Sequence, residues 1–358
     1  MGPLVAFHVT DRCQLNCQHC LRDPDTRSQD IDVDVVAKVL DEAKAAYGAH
    51  KASFTGGEPT LHPRFFDLVD AAVARGFSWQ MVSNGRRFID VLGELMRVPA
   101  RKAAIRTIFF SLDGADQQTH NHIRGDGSFH DVMDAVAACA ATDVPFTLQM
   151  VVHKKNVHQL DAIALLAARL GASQLSLAML QPTGTFLDED LALSPQAWRH
   201  AQAQIEDLKE IIRMPIVRPE GWSHHGAPVP ECGAWRQDIL HIDLAGHLTV
   251  CCQLAGQPTN AAAPSDVGPA LQTTTLTAAV AALAPVISDA RAAVTAQASS
   301  SSPWATFSCN ACAAHFGKAS WADGDVGAVS GPSATRARWK GAWSPDKVRA
   351  KARLPVIS

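Results

Sequence analysis

Residues 4–20 read LVAFHVTDRCQLNCQHC, a strand-like apolar run followed at once by Cys13, Cys17 and Cys20. In folds that alternate strands and helices, the loop after a strand is where active sites collect. Three thiolates in one such loop suit a soft metal centre. A [4Fe–4S] cluster normally takes four cysteines, so three local ligands would leave one iron open to another molecule. On the residues alone, a zinc site completed by a nearby histidine is the alternative.

Further apolar runs of strand length follow at intervals along the first 217 residues, and amphipathic stretches of helical period separate them. Six such β-then-α units predict a parallel sheet with right-handed crossovers, either open or curled into a barrel. The predicted strands are 4–9, 52–55, 77–82, 107–111, 146–152 and 174–180, and the predicted helices include 33–47, 64–75, 160–170 and 195–212.

Beyond residue 218 the alternation of strands and helices stops. Residues 239–252 predict a hairpin that turns at Ala245–Gly246, and helices are expected near 275–283 and 286–295. The serine run 299–302 predicts a flexible link, and residues 318–358 predict a surface-wrapping or partly disordered tail. We therefore expect three parts, residues 1–217, 218–317 and 318–358, of which the last is basic.

Composition limits the class of protein. The chain has 358 residues, a formal net charge of −3 and no basic excess of the kind that nucleic-acid binding needs. No apolar run approaches the ~20 residues of a membrane span, and the N-terminus lacks a secretory signal, so a cytoplasmic protein is expected. Cytoplasmic thiols stay reduced, so the nine cysteines predict metal ligands, catalytic groups or core residues rather than disulfides.

Three further motifs follow predicted strands in chain order. They are Thr55-Gly56-Gly57-Glu58-Pro59, then Ser83-Asn84-Gly85, then Ser111-Leu112-Asp113-Gly114 with Arg124 downstream. With the three cysteines, this series resembles the radical SAM superfamily, in the branch that carries a SPASM or twitch extension. The resemblance runs from Phe7 to about Gly317. It implies an α/β fold, a partial (β/α)6 TIM-like barrel with a small C-terminal twitch domain built from a β-hairpin and a helix.

The resemblance also implies a role for each motif. Cys13, Cys17 and Cys20 would hold the [4Fe–4S] cluster that binds S-adenosylmethionine (SAM). Bare backbone at the glycines and a carboxylate beside them suit the methionine amine, and arginine suits the carboxylate. The implied cofactor-binding residues are Gly56, Gly57 and Glu58 at the amine, Ser83 and Asn84 near the ribose, Ser111 and Arg124 at the carboxylate, and His19, Val151, Val152, Leu180 and Gln181 near the adenine.

The cysteines beyond residue 230 resemble the ligands of a single auxiliary [4Fe–4S] cluster, since five are too few for two clusters. The implied ligands are Cys232, Cys251, Cys309 and Cys312. Four protein thiolates leave no open iron, so such a cluster would relay electrons, and zinc is the alternative metal. We expect Cys139 in a helix core and Cys252 pointing away from Cys251, as a packing residue or a hydrogen-atom donor; an exchange of roles with Cys251 stays open.

The resemblance implies an enzyme that cleaves SAM to a 5′-deoxyadenosyl radical and removes hydrogen from a C–H bond of a peptide or natural-product intermediate. Oxidation or cross-linking would follow, with flavodoxin or ferredoxin as electron donor. Alternatives are an epimerase or small-molecule dehydrogenase that uses Cys252 or the auxiliary cluster, and a non-catalytic iron–sulfur electron-transfer protein. The chain begins on its first strand, which favours a small molecule or a peptide held by the barrel itself.

Overall fold

A computed structural model describes residues 2–21, 29–180, 191–218, 232–255, 263–298 and 307–318, which lie within the compact unit Met1–Ala322. The strands are β1 Leu4–Thr10, β2 Lys51–Gly56, β3 Ser78–Ser83, β4 Ile105–Ser111, β5 Phe146–Val152, β6 Leu175–Met179, β7 Ile216–Val217, β8 Ile239–Ile242, β9 His247–Thr249 and β10 Val267–Ala270. The helices are α1 Val33–Tyr47, α2 Phe65–Ala74, α3 Phe88–Met96, α4 Pro99–Ala103, α5 Gln117–Arg124, α6 Ser128–Ala141, α7 Leu160–Leu170, α8 Pro195–Ile211, α9 Leu276–Ala298 and α10 Ser308–His315. The predicted link at 299–302 and the tail beyond Lys318 lie outside the described residues.

The described strands form one sheet in the order β10-β9-β8-β1-β2-β3-β4-β5-β6-β7. Strands β1 to β7 pair in parallel, each with the next in the chain. Strands of a β/α barrel follow one another in this way, whereas the order of a doubly wound sheet reverses at a switch point. The sequential order therefore confirms the predicted α/β class and partial (β/α)6 barrel.

A row of large apolar side chains crosses the sheet at one level. Phe7 pairs with Phe54, Phe54 with Met81, Met81 with Ile108, and Ile108 with Phe146. The first four are fully buried and Phe146 nearly so, and the Phe7 and Phe54 rings lie 6.2 Å apart. Because a slip of one residue would turn these side chains to the other face, the row fixes the register. All five strands consequently end together at one edge of the sheet.

The C-terminal hairpin joins the barrel sheet instead of standing apart from it. Strand β8 lies parallel to β1, with Leu4 opposite Ile239 and Phe7 opposite Ile242. It turns antiparallel into β9 at Gly246, whose φ of +80° suits glycine. The hairpin and its turn were predicted, but β9 ends at Thr249, earlier than the predicted end at residue 252.

Helix α9 corrects the prediction of two helices in this region. It runs unbroken from Leu276 to Ala298 and includes Pro285. The proline removes one backbone hydrogen bond, yet buried positions continue at helical spacing on both sides, at Leu276, Ala279, Leu283, Ile287, Ala290 and Val294. By length and composition α9 is also the one described helix apolar enough to cross a membrane, and its buried face packs on α10, β10 and α1. In α6, Cys139 is fully buried as predicted, and burial raises the pKa of its thiol to about 12.

Candidate functional site

The three N-terminal cysteines lie in the loop after β1. Cys17 is buried, and Cys13 and Cys20 are half-buried. Burial raises the pKa of the Cys17 thiol to about 12; Arg124 opposes this rise, while Cys20 and Cys13 add to it. Nitrogen donors face two of the sulfurs, with Asn84 Nδ2 3.8 Å from Cys13 Sγ and Arg124 Nη1 3.9 Å from Cys17 Sγ. Three electrostatically coupled thiols with donors around them fit a cationic iron centre, which would stabilise all three as thiolates.

Gly56, the last residue of β2, and Gly57 after it hold this loop against the sheet. Gly57 N–H donates to Thr10 O at 2.6 Å, and Glu58 N–H donates to Arg12 O at 2.7 Å. A Cβ on Gly57 would lie 2.2 Å from Arg12 O, and one on Gly56 would lie 2.2 Å from Thr10 O. The bare backbone was expected to admit a ligand. The close approach that it makes in the structure is to the backbone of the cysteine loop.

Glu58 brings together two of the predicted motifs. Its carboxylate accepts hydrogen bonds from Ser83 Oγ at 3.0 Å, Asn84 N at 2.8 Å and Thr60 Oγ1 at 2.8 Å. Only 1% of the residue is exposed, and this burial raises the pKa of Glu58 although the hydrogen bonds oppose the rise. The result is a fixed, buried carboxylate beside the cysteine loop, an arrangement that suits an ammonium group.

Asp113 is a site residue that sequence reasoning did not assign, although it lies inside the Ser111-Leu112-Asp113-Gly114 motif. It is fully buried, and its Oδ2 accepts hydrogen bonds from His19 Nε2 at 2.6 Å and from Arg124 Nε at 2.5 Å. Burial acts to raise the pKa of Asp113, but the neighbouring Arg124 and His19 hold it well below its usual range. Two predicted SAM contacts, His19 and Arg124, therefore meet on one ionised carboxylate.

The predicted adenine contacts separate into two environments. Val151 packs with Leu180, Ile123 and Leu191 in a small apolar cluster at the ends of the strands. Val152 points the other way along β5, has no exposed surface and belongs to the main core. Ser111 is buried at the end of β4, and Gln181 lies outside the described residues.

The four predicted auxiliary ligands line one cavity. Cys232, Cys251, Cys309 and Cys312 all contribute to its wall, together with Trp235, and the cavity is partly open to solvent. Burial raises the pKa of the Cys312 thiol, and the nearby Cys251 and Cys232 raise it further. Four thiols that repel one another as thiolates around a common cavity fit a metal cluster as their shared counter-charge.

Cys252 does not point away from Cys251, as the sequence predicted. A hydrogen bond joins the two thiols, and their sulfurs and a ring nitrogen of His241 all lie within 4.8 Å of one another. The prediction assumed that the strand continued to residue 252, but β9 ends at Thr249, so the alternation of a strand does not apply. Among the described residues, those that line the cavity do not include Cys252.

A buried ion pair fastens the end of α10 to the connection between β9 and β10. Lys318 Nζ lies 2.6 Å from Asp266 Oδ1 and donates to Leu254 O at 2.7 Å, and both charged side chains are 2% exposed. These contacts join the segment after Cys312 to the chain between β9 and β10. Lys318 had been placed in the exposed tail, because the sequence does not show its buried carboxylate partner.

The chain has relatives among known proteins. The chain is similar to the mycofactocin maturase MftC of Mycobacterium tuberculosis, with 33% identity over 261 residues that cover 69% of this chain and 63% of MftC. It is also similar to the PqqA peptide cyclase of Methylorubrum populi, with 26% identity over 253 residues that cover 68% and 64%. The chain thus spans less than two thirds of the length of either relative.

A solved structure of Streptococcus suis SuiB bound to S-adenosylmethionine shares the fold, with a TM-score of 0.63 and 13% identity over 82% of this chain and 68% of SuiB. Residues 7–167 match the Radical SAM superfamily. This match includes the cysteine loop, Glu58, Asp113 and Arg124, whose side chains converge at the strand ends. Residues 7–167 of this chain therefore form a domain of the radical SAM superfamily.

Proposed function

We propose that this chain is an enzyme that binds SAM at a [4Fe–4S] cluster held by Cys13, Cys17 and Cys20, and that it modifies a peptide. The proposal rests on one observation: thiols, a carboxylate and a guanidinium lie close together at one edge of the sheet. Three neighbouring thiols lie beside a buried carboxylate, Glu58, and a largely buried guanidinium, Arg124. An amino acid that chelates an iron through its amine and carboxylate needs such a pair of partners.

The protein's own residues bind and orient in this scheme. Glu58 accepts from the methionine amine, and Arg124 donates to the methionine carboxylate. Ser83 and Asn84, on the ribose side, hold Glu58 in place through hydrogen bonds. Val151 and Leu180 offer apolar surface to the adenine. When bound, the cluster and SAM supply a 5′-deoxyadenosyl radical, which takes hydrogen from an unactivated C–H bond. The barrel excludes water from that reaction.

We assign the second cavity to an auxiliary cluster of the twitch type. The proposal rests on Cys232, Cys251, Cys309 and Cys312 in one wall. With four thiolate ligands such a cluster would pass electrons rather than bind substrate. A small iron–sulfur or flavin protein would serve as the external donor.

A peptide is the substrate class that the relatives favour. One relative is named as a maturase and another as a peptide cyclase. This supports a peptide over a small natural-product intermediate, which the sequence had left open.

The test is reductive cleavage of SAM by the full chain after anaerobic reconstitution with iron and sulfide. We expect 5′-deoxyadenosine from wild type with dithionite, and none from Cys17→Ser. The matched control is Cys139→Ser, since Cys139 is buried in α6 away from both sites and should leave the product unchanged. Wild type that holds its iron yet releases no 5′-deoxyadenosine would refute the enzymatic proposal.

Peptide specificity needs its own measurement. Short peptides encoded next to the gene are incubated with the active enzyme and followed by mass spectrometry. Loss of hydrogen from one of them supports the proposal, whereas conversion of small metabolites alone contradicts it.

A further inference from the structure

The carboxylate of Asp113 contacts three segments that are far apart in the sequence. Its Oδ2 accepts from His19 in the cysteine loop and from Arg124 at the end of α5. Its Oδ1 accepts from the Val151 N–H on β5 at 2.9 Å. Each donor uses a different direction around the carboxylate, so Asp113 fixes the relative positions of the loop, the helix and the strand.

Hydrogen bonds to its backbone also hold Asp113 in place. Asn156 Nδ2 donates to the Asp113 carbonyl at 3.0 Å and to the Val151 carbonyl at 2.9 Å, and Asn156 is fully buried. The Asp113 N–H donates to His120 Nδ1 at 3.0 Å. With its backbone bonded on both sides and its side chain bonded at both oxygens, Asp113 has one available orientation.

The bond to Arg124 uses one edge of the guanidinium. Nε donates to Asp113, while Nη1 lies 3.9 Å from Cys17 Sγ, so this terminal nitrogen faces the cysteine loop. The side chain of Arg124 is 10% exposed. Fixing an arginine side chain costs rotamer entropy. Because the hydrogen bond at Nε already fixes Arg124 in the folded chain, ligand binding does not have to meet that cost.

We propose that Asp113 is a positioning residue for SAM: it orients the free edge of Arg124 toward the methionine carboxylate and holds His19 beside Cys20. This inference rests on the proposed function. It assigns Asp113 an orienting role rather than an electrostatic one, because the negative charge of Asp113 by itself opposes a second carboxylate near Arg124. Removing that charge should therefore weaken SAM binding if Asp113 orients Arg124, and should tighten SAM binding if Asp113 acts mainly through its charge.

The first measurement is the SAM dissociation constant of the reconstituted full chain, by equilibrium dialysis, with iron content and melting temperature determined on the same samples. For Asp113→Asn we expect about 10- to 100-fold weaker binding, the loss typical of one charge-assisted hydrogen bond. Asp116→Asn is the matched control, since Asp116 lies in the same loop, caps α5 through the Thr119 N–H and touches neither His19 nor Arg124. Unchanged or tighter binding by Asp113→Asn would overturn the inference.

A double-mutant cycle with Arg124→Lys distinguishes positioning from general support of the fold. Lysine has no Nε edge, so Asp113→Asn should weaken binding less than about 2-fold further in that background. An additional 10-fold loss there would show that Asp113 acts independently of Arg124, contrary to the inference.

A second variant covers the case in which Asp113→Asn fails to retain iron. In Arg124→Ala, Asp113 remains to bind a guanidinium ion from solution, so millimolar guanidinium should tighten SAM binding about 5- to 10-fold. Recovery is only partial because a separate ion loses translational and rotational entropy when it binds. No recovery, at concentrations that leave the melting temperature unchanged, overturns the inference. If iron-loaded wild type itself fails to bind SAM, the proposed function falls and this inference with it. If only the Asp113 tests fail, the proposed function stands.

Discussion

Substitution of Gly57 by alanine tests whether the glycines clamp the cysteine loop. The new Cβ would lie 2.2 Å from Arg12 O and 2.7 Å from Asp11 O, both backbone atoms that cannot move alone. The loop must retreat, which breaks the hydrogen bonds from Gly57 to Thr10 and from Glu58 to Arg12. At about 1 kcal/mol for each bond and about 1–3 kcal/mol for overpacking, we expect a loss of about 3–5 kcal/mol in unfolding free energy.

The assay is urea unfolding of the unreconstituted chain, with iron content after reconstitution as the second readout. Gly93→Ala is the matched control: Gly93 lies inside α3 with no neighbouring atom within 4 Å of the added Cβ, so alanine should stabilise by about 0.5–1 kcal/mol. The two Gly→Ala changes thus have opposite predicted signs. The clamp is refuted if Gly57→Ala unfolds at the wild-type urea concentration and keeps the wild-type iron content.

Three further predictions concern other parts of the structure. Lys318→Met should lower the unfolding free energy by about 3–5 kcal/mol in urea, because it leaves the Asp266 carboxylate buried without its cation. Cys309→Ser should reduce reconstituted iron from about eight to about four per chain, whereas Cys252→Ser should leave it unchanged. Burial lowers the pKa of His153 to about 4, so between pH about 6.5 and 4 the unfolded chain binds a proton that the folded chain excludes. Wild type should therefore lose about 2 kcal/mol more than His153→Asn between pH 7 and pH 5.

Each of these predictions has a result that contradicts it. The exposed pair Arg64–Asp67 is the control for Lys318, since Arg64→Met should cost less than about 1 kcal/mol; equal losses would mean that burial does not matter. A content of four irons per wild-type chain, or bound zinc, would contradict the assignment of an auxiliary cluster. Parallel pH profiles for wild type and His153→Asn would show that His153 does not remain neutral in the folded chain.

Local patterns predicted much of the fold because they reflect local physics. The predicted spans 33–47 and 160–170 match α1 and α7 residue for residue. Both helices have an apolar face of helical period and end at a glycine, and the Asp32 side chain caps the start of α1. The two-helix prediction failed at Pro285, where the structure continues one helix through the proline. The continuous buried face of α9 depends on neighbours that the local sequence does not show.

The candidate site also contains residues that the sequence predicted and residues whose roles it did not show. Glu58, Ser83 and Asn84 were predicted from motifs, and the parallel strands bring them into contact at one edge of the sheet. The role of Asp113 depends on three donors from distant segments, which no spacing along the chain reveals. The orientation of Cys252 was mispredicted because it depends on where β9 ends, by a margin of a few residues that sequence patterns do not resolve.

The pairing of β8 with β1 has a consequence for synthesis in the cell. The first strand leaves the ribosome long before its partner on that side, because Ile239 follows Leu4 by more than two hundred residues. At a synthesis rate of ~5–20 residues per second, one edge of β1 remains unpaired for on the order of 10–50 s. During that interval the nascent chain presents an unpaired strand edge next to a loop of reduced thiols, which makes it vulnerable to aggregation and oxidation until the C-terminal hairpin is synthesised.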